Sequence, residues 1–339
     1  MNTPKLSIII PVYNVAHFLS STIESIQNQH FNDYEVLLID DGSKDNSLDI
    51  CNQLAEKDKR LKVYHKENSG VSDTRNLGIE HAIGDYVYFM DADDLLHPQF
   101  MEIMMGEALN NDADLVCCEY TTFIKAPMFH KYDEFQSDDL RQNGSDPFDV
   151  LTRAAHATSM WSKVLKRTLL HNYHIRFRSG MTFGEDMFVA WKCCLVAKKA
   201  KFVRLPLYYY RQTGESAVSR YHAHLYESYR SSFDDIRDFV VRNNIVVKEF
   251  EKNFARYFAQ RLCSFVRMEV KAPYSIKQKV NRLNIMLSDP DMQRGLSLNI
   301  GTNPLYEMAR KRKIRNMLWY GYRNEFIEYI KNQIKKMIR

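Results

Sequence analysis

Between Leu6 and Tyr120 the chain alternates short, β-branched apolar runs with segments of helical period, and few architectures accept that rhythm. Leu6–Val12, Tyr34–Ile39, Leu61–His65, Tyr86–Met90 and Asp114–Tyr120 read as strands by length and composition. Ala16–Gln29 places Phe18, Leu19, Ile23 and Ile26 on one helical face. Asp45-Asn46-Ser47 caps a second helix running to about Asp58, Ser69 or Ser72 opens a third over Gly70–Ala82, and a fourth spans Pro98–Asn110. This order predicts an α/β fold with a mostly parallel, twisted sheet flanked by helices, because parallel neighbours need a crossover of helix length. Ligands of such sheets lie outside the carboxyl ends of the strands. Four polar clusters fall there and are expected to converge on one crevice: Pro11–Asn14, Asp40–Ser43, Asn68–Gly70 and Asp91–Asp94.

The sharpest of these is Asp91-Ala92-Asp93-Asp94, which ends the run Tyr86–Met90. Side chains alternate along a strand, so Asp91 and Asp93 leave it on the same side. Carboxylates held that way repel each other unless a positive group stands between them. A divalent cation carrying a diphosphate meets that need, because hard cations take oxygen ligands. Taken alone, the tetrapeptide reads equally well as an N-cap and solvated turn before the helix at His97-Pro98.

At 339 residues the chain is long enough for one large or two modest domains. Its 45% hydrophobic and 26% charged residues exclude a disordered chain. No apolar run reaches the length of a membrane span, and Met1–Lys5 leads straight into a strand, so no signal peptide is expected. The six cysteines lack disulfide or zinc-ribbon spacing; Cys117-Cys118 and Cys193-Cys194 sit in apolar surroundings and read as small buried hydrophobes. A reduced, cytoplasmic protein is the expectation. The net charge of +5 is concentrated at the end of the chain: from Gly301 onward ten basic residues face three glutamates.

The segments Ser7-Ile8-Ile9-Ile10-Pro11-Val12-Tyr13-Asn14, Leu38-Ile39-Asp40-Asp41-Gly42-Ser43-Lys44-Asp45, Asn68–Asn76 and Asp91–Asp94, followed by Gly184-Glu185-Asp186, together resemble glycosyltransferase family 2. These are inverting enzymes of the Rossmann-like GT-A fold, and the likeness runs from Leu6 to about Ser219. It implies a nucleotide-sugar-binding and catalytic domain over residues 1–220 and a mainly helical extension over 221–339. It further implies that Asp41 accepts a hydrogen bond from the base, commonly uracil, while Pro11, Tyr13 and Asn14 wall the base and ribose. Arg75 would stand near the nucleotide, or else be an exposed helix arginine in a surface pair. Asp93, with Asp91, would hold Mn²⁺ or Mg²⁺ beside Ala92, and Asp94 is expected to cap the following helix. In the pair Glu185-Asp186 the second acid matches the family's catalytic base.

Trp161-Ser162-Lys163 resembles a segment on the acceptor side, where the indole face of Trp161 suits a pyranose or, equally, core packing. Tyr208-Tyr209-Tyr210-Arg211-Gln212, with Ser216 and Ser219, resembles a loop that closes over the diphosphate, and Arg211 would contact phosphate. Thr213-Gly214-Glu215 stands where relatives often carry a histidine, which leaves His222 or His224 as substitutes for a third metal ligand. The basic end mixes Lys and Arg with Trp319, Tyr322, Phe326 and Tyr329, and reads either as a segment for an anionic membrane surface or as a helix packing on the rest of the chain or a second subunit. Nucleic acid is not expected, because an acidic-rimmed cleft repels a polyanion. The reading is an inverting transferase moving a sugar from a UDP-sugar to a hydroxyl of a growing glycan, free or lipid-linked, as in capsule, exopolysaccharide or lipopolysaccharide assembly. Its alternatives are a polyprenyl-phosphate sugar synthase and a non-catalytic nucleotide-sugar-binding subunit.

Overall fold

The structure is a computed structural model and describes residues 3–125, 127–141, 158–181, 183–212, 221–298 and 300–338. The chain forms two compact units, Met1–Val218 with Ser232–Val247, and Ser219–Ser231 with Lys248–Arg339. In the first unit β1 (Leu6–Val12), α1 (Ala16–Gln27), β2 (Tyr34–Asp40), α2 (Ser47–Lys57), β3 (Leu61–His65), α3 (Val71–His81) and β4 (Tyr86–Phe89) follow in the expected order. The strands lie side by side as β3-β2-β1-β4, all parallel. β1, β2 and β4 are buried almost throughout, as parallel strands are when helices cover both faces. The strand order reverses direction at β1, and in such sheets the ligand crevice belongs at the carboxyl ends of the strands, here β1, β2 and β4.

Then come β5 (Leu95–Leu96), α4 (Phe100–Asn110), β6 (Leu115–Phe123), β7 (Ser137–Arg141), β8 (Lys163–Lys166), α5 (Arg167–Asn172), α6 (Glu185–Val196) and β9 (Ala200–Arg211). They extend the sheet to nine strands among the described residues, in the order β3-β2-β1-β4-β8-β6-β9-β5, with β7 also on β9. This half is mixed: β8 runs antiparallel to β4 and β6, and β5 and β7 run antiparallel to β9, while β6 and β9 are parallel. The polar stretch Lys125–Ser145, rich in turn-forming and acidic residues, contains an edge strand, and its remainder from residue 142 lies outside the described residues.

The second unit is helical. α7 (Leu225–Arg242) is divided between the units, and α8 (Phe250–Gln260), α9 (Leu262–Lys271), α10 (Ile276–Ser288), α11 (Pro290–Ser297), α12 (Pro304–Arg310) and α13 (Ile314–Ile338) follow. α8 and α9 meet at Arg261, which ends the one and opens the other. Local chemistry sets these starts: Ser275 and Gln278 form a capping box for α10, and Asp289 and Asn303 cap α11 and α12 ahead of a proline. No helix among the described residues is long and apolar enough to cross a membrane.

α8 and α11 approach so closely that a Cβ on Gly295 would lie 2.0 Å from the Ala255 carbonyl oxygen and 2.5 Å from Ala259 Cβ. Gly295→Ala is therefore expected to destabilise the protein by about 1–3 kcal/mol, as overpacking does when backbone must shift. Chemical denaturation would measure it, and an unchanged midpoint would mean that the two helices part without cost.

Candidate active site

The loop after β1 is fixed by the loop after β2. Asn14 adopts a left-handed conformation (φ 53°), which asparagine tolerates. The backbone N–H groups of Asn14, Val15 and Ala16 donate to Ser43 Oγ, Ser47 Oγ and Asp45 Oδ2 at 3.1, 2.9 and 3.1 Å. Lys44 N returns a bond to Asn14 Oδ1 at 2.8 Å. Pro11 lies in β1 opposite Ile39, and Tyr13 is left 43% exposed at the crevice end of the strand. Ser43, Asp45 and Ser47 thus serve this site as positioning groups, a role the sequence reading missed beyond the helix cap.

Asp41 is buried at the end of β2, and its carboxylate is already well supplied with donors. Ser69 N and Gly70 N donate to it at 3.0 Å each, Asn68 Nδ2 donates at 3.4 Å, and Lys66 Nζ forms an ion pair with it. Gly42 makes the turn possible: its φ is +68°, and a Cβ there would meet Asn68 N at 2.9 Å. The carboxylate therefore anchors the Lys66–Gly70 turn across the crevice. An amide at position 41 can accept fewer of these bonds, so Asp41→Asn is expected to cost about 1–3 kcal/mol of stability, measurable by thermal unfolding. Asp40 beside it is fully buried and accepts from His65 Nδ1 at 2.7 Å.

Arg75, on α3, is the hub of the site. Its side chain is 6% exposed, and its guanidinium donates to Asp91 Oδ1 at 3.0 Å, Glu185 Oε1 at 2.9 Å and Asp186 Oδ1 at 2.7 Å. Burial disfavours its charge, but the three carboxylates more than offset that and hold it protonated. The reading of Arg75 as an exposed arginine in a surface pair is overturned: it is a buried bridge between segments more than a hundred residues apart. The Phe177 ring lies 5.3 Å from the guanidinium, and Asn76 fixes the backbone there by accepting from Phe177 N at 2.9 Å and donating to Phe177 O at 2.8 Å. Asn76 is a second positioning residue that the sequence reading did not single out.

Glu185 and Asp186 form the first turn of α6, where the helix dipole favours carboxylates. Asp186 Oδ2 also accepts from Met160 N at 3.3 Å, which ties it to the turn carrying Trp161. Burial, with repulsion from Asp186, raises the Glu185 carboxyl above its ordinary range, and Arg75 opposes the rise. The Trp161 indole stacks on Tyr208 with centroids 4.5 Å apart, so one face is taken by the core. Lys163, expected to meet an acceptor, is fully buried; its ammonium donates to Ser159 O and, at 3.2 Å, to Ser162 Oγ, bracing this turn from beneath.

At the end of β4, burial raises the carboxyl of Asp91 to about 7 despite Arg75, and repulsion from Asp186 and Asp93 adds to the rise. Burial raises Asp93 as well, with Arg211 opposing. Ala92 is buried, and Thr22 Oγ on α1 donates to the carbonyls of Ala92 and Asp94 at 2.9 Å each. Asp94 does not cap the next helix, whose N-cap is Gln99. It is buried among acids, its carboxyl is pushed up to about 9, and it accepts from Tyr208 Oη and from Arg211 N at 2.5 and 2.7 Å. Arg211 donates through Nε to the Asp93 carbonyl, with its guanidinium 5.0 Å from the Phe18 ring and 4.6 Å from the Phe123 ring.

The donor set suits a hard divalent cation. Asp91 and Asp93 offer carboxylate oxygens, and the side chain of Asp93 accepts no hydrogen bond from another described residue. Among the described residues no three His, Cys, Asp or Glu side chains are grouped to hold a metal. Two carboxylates completed by phosphate oxygens and water match the habit of Mg²⁺. The cysteines are all free, and burial pushes the Cys117 thiol up to about 12, as suits an inert core residue. Ser216, Ser219 and Thr213-Gly214-Glu215 lie outside the described residues.

Known proteins resemble this chain in sequence and in fold. Residues 7–173 match the family model for glycosyl transferase family 2. EpsH of Bacillus subtilis (strain 168), which carries a provisional glycosyltransferase name, is 29% identical over 313 residues, spanning 90% of this chain and 89% of its own. The glycosyltransferase GlyG of Streptococcus pneumoniae serotype 4 is 30% identical over 225 residues, 63% of this chain and 72% of its own. The fold is also that of S. aureus TarS residues 1–349, solved in complex with UDP-GlcNAc: the TM-score is 0.67 at 21% identity, covering 95% of this chain and 92% of the other. The family model and a relative 30% identical over 72% of its own length agree, and the protein belongs to glycosyl transferase family 2.

Proposed function

We propose that this glycosyltransferase transfers a sugar from a UDP-sugar to a hydroxyl group of a growing glycan with inversion at the anomeric carbon, in the assembly of a bacterial surface polysaccharide. The observation that carries the reading is the Arg75 bridge, which brings the acid pair Glu185-Asp186 within bonding reach of the same guanidinium as Asp91. Asp91 and Asp93 would hold a divalent cation, Mn²⁺ or Mg²⁺, whose chemistry is to offset the charge of the departing diphosphate. Asp186 takes the proton of the acceptor hydroxyl as its oxygen attacks from the face opposite the diphosphate; Arg75 and Met160 N fix the direction of its carboxylate. Glu185 shares Arg75 and keeps the guanidinium from neutralising Asp186 alone. Tyr13 and Pro11 wall the base, with Asn14 behind them. Asp41 contacts it, and the 3.4 Å bond from Asn68 is the one that a uracil imide N–H would replace. Arg211 meets phosphate beside Asp93. Solution of TarS with UDP-GlcNAc on the same fold supports a UDP-sugar donor.

Nucleotide release from UDP-glucose, UDP-galactose, UDP-N-acetylglucosamine and GDP-mannose, in the presence of Mn²⁺, tests this. Release of UDP from one donor is expected, falling roughly tenfold or more on chelation or in Asp93→Ala. Silence from every donor, with no binding by calorimetry, would replace the enzyme reading with that of a nucleotide-sugar-binding subunit.

A further inference from the structure

α13 is apolar on two opposite faces, whereas a surface helix ordinarily has one. At about 100° per residue, Ile314, Met317, Leu318 and Gly321 share a side, and all four are buried against the rest of the second unit. Gly321 approaches α9 so closely that a Cβ would meet Val270 at 2.7 Å. The opposite side carries Trp319 and Phe326, which are 64% and 65% exposed, together with Ile330. Arg315 and Arg323 flank Trp319 on that same side and are exposed. Lys311, Arg312 and Lys313, just ahead of the helix, are exposed as well.

We propose that this second face docks on the surface of an anionic lipid bilayer, with Trp319, Phe326 and Ile330 entering the headgroup boundary and the arginines meeting lipid phosphates. Charge selects this occupant. The acids of the helix are directed elsewhere: Glu325 pairs with Arg267 at 2.6 Å and Lys271 at 3.3 Å, and Glu328 pairs with Lys331 at 3.2 Å. The exposed face therefore carries cations and aromatics without a carboxylate. A second copy docking through it would set arginine against arginine, whereas an anionic surface gains from each cation. Tryptophan and tyrosine settle at such boundaries because an apolar ring and a polar tip are satisfied together. The helix lies on the bilayer rather than crossing it, as its charges require. This inference rests on the second unit alone and stands whether or not the donor assignment does.

Co-sedimentation of the full chain with phosphatidylglycerol and with phosphatidylcholine vesicles tests it. Binding to phosphatidylglycerol is expected to exceed binding to phosphatidylcholine by roughly fivefold per engaged cation, and to weaken with salt. Trp319 is one of three tryptophans, and Trp191 is buried, so a blue shift of emission on binding reports its entry into lipid. Trp319→Ser with Phe326→Ser should lower partitioning about tenfold or more, since both side chains are solvated in the free protein and unfolding is not at issue. Arg315→Glu with Arg323→Glu should abolish the preference for the anionic lipid. Equal binding to both lipids, no binding to either, or a dimer in sedimentation that Trp319→Ser dissociates would each overturn the proposal, the last by making this face a contact between copies.

Discussion

Asp186→Asn is expected to lower turnover about 10²–10⁴-fold while leaving donor KM within a small factor, because the substitution removes a base and little else. Asparagine keeps the size of the side chain, and its carbonyl oxygen still accepts from Arg75 Nη1, now 2.7 Å from Asp186. The fold should therefore survive, which thermal unfolding alongside the kinetics would establish. Single-turnover measurements should place the loss in the chemical step. Retained turnover would be equally informative: a phosphate acceptor is already ionised and needs no base, so the polyprenyl-phosphate synthase reading would take over.

Replacement of Arg75 by methionine should be the most damaging change to stability at the site. Methionine fills similar space but leaves Glu185, Asp186 and Asp91 without their common cation. Glu185 and Asp186 are 14% and 19% exposed, so water makes up little of the loss, whereas Asp91, 31% exposed, is better screened. Breaking a buried ion pair by removing one partner costs about 3–5 kcal/mol, and urea denaturation should find a deficit of that order. The deficit should shrink on acidification, since protonated carboxyls no longer repel one another. Arg75→Lys, which keeps the charge but not the fork to three acids, should recover part of the stability and little of the activity. A methionine variant as stable as the parent would mean that the three acids are solvated, contrary to the burial seen.

How far the sequence could be read depended on whether a feature was local. β1 to β4 were legible because each is a short apolar run bounded by turn residues, and their order alone implied the crevice. β7 was not: Ser137-Asp138-Asp139-Leu140-Arg141 has one aliphatic residue, and it is a strand because β9 offers it an edge. β8 is four residues long and lies antiparallel between β4 and β6, so no periodicity could reveal it. The acids at 41, 91, 93, 185 and 186 were legible as chemistry, but the partnership of Arg75 with the last two spans 110 and 111 positions. Lys163 shows the opposite limit. The resemblance of its segment suggested an acceptor contact, and only the packing around it revealed a buried brace.

The helix ends that face the crevice carry one more implication. Amides at the start of α1 are bonded to Ser43, Asp45 and Ser47, and those ahead of α3 to Asp41. Many nucleotide-binding folds leave such amides free and wrap them around phosphate. Here they are spent inside the protein, partly on carboxylates that would repel a phosphate. On the proposed function, recognition of the diphosphate would fall to side chains. A main-chain cradle persists whatever residue occupies it, but side-chain charge can be altered one codon at a time. A scaffold wired in this way can exchange one activated donor for another through point substitutions at the rim, without disturbing the strands that support it.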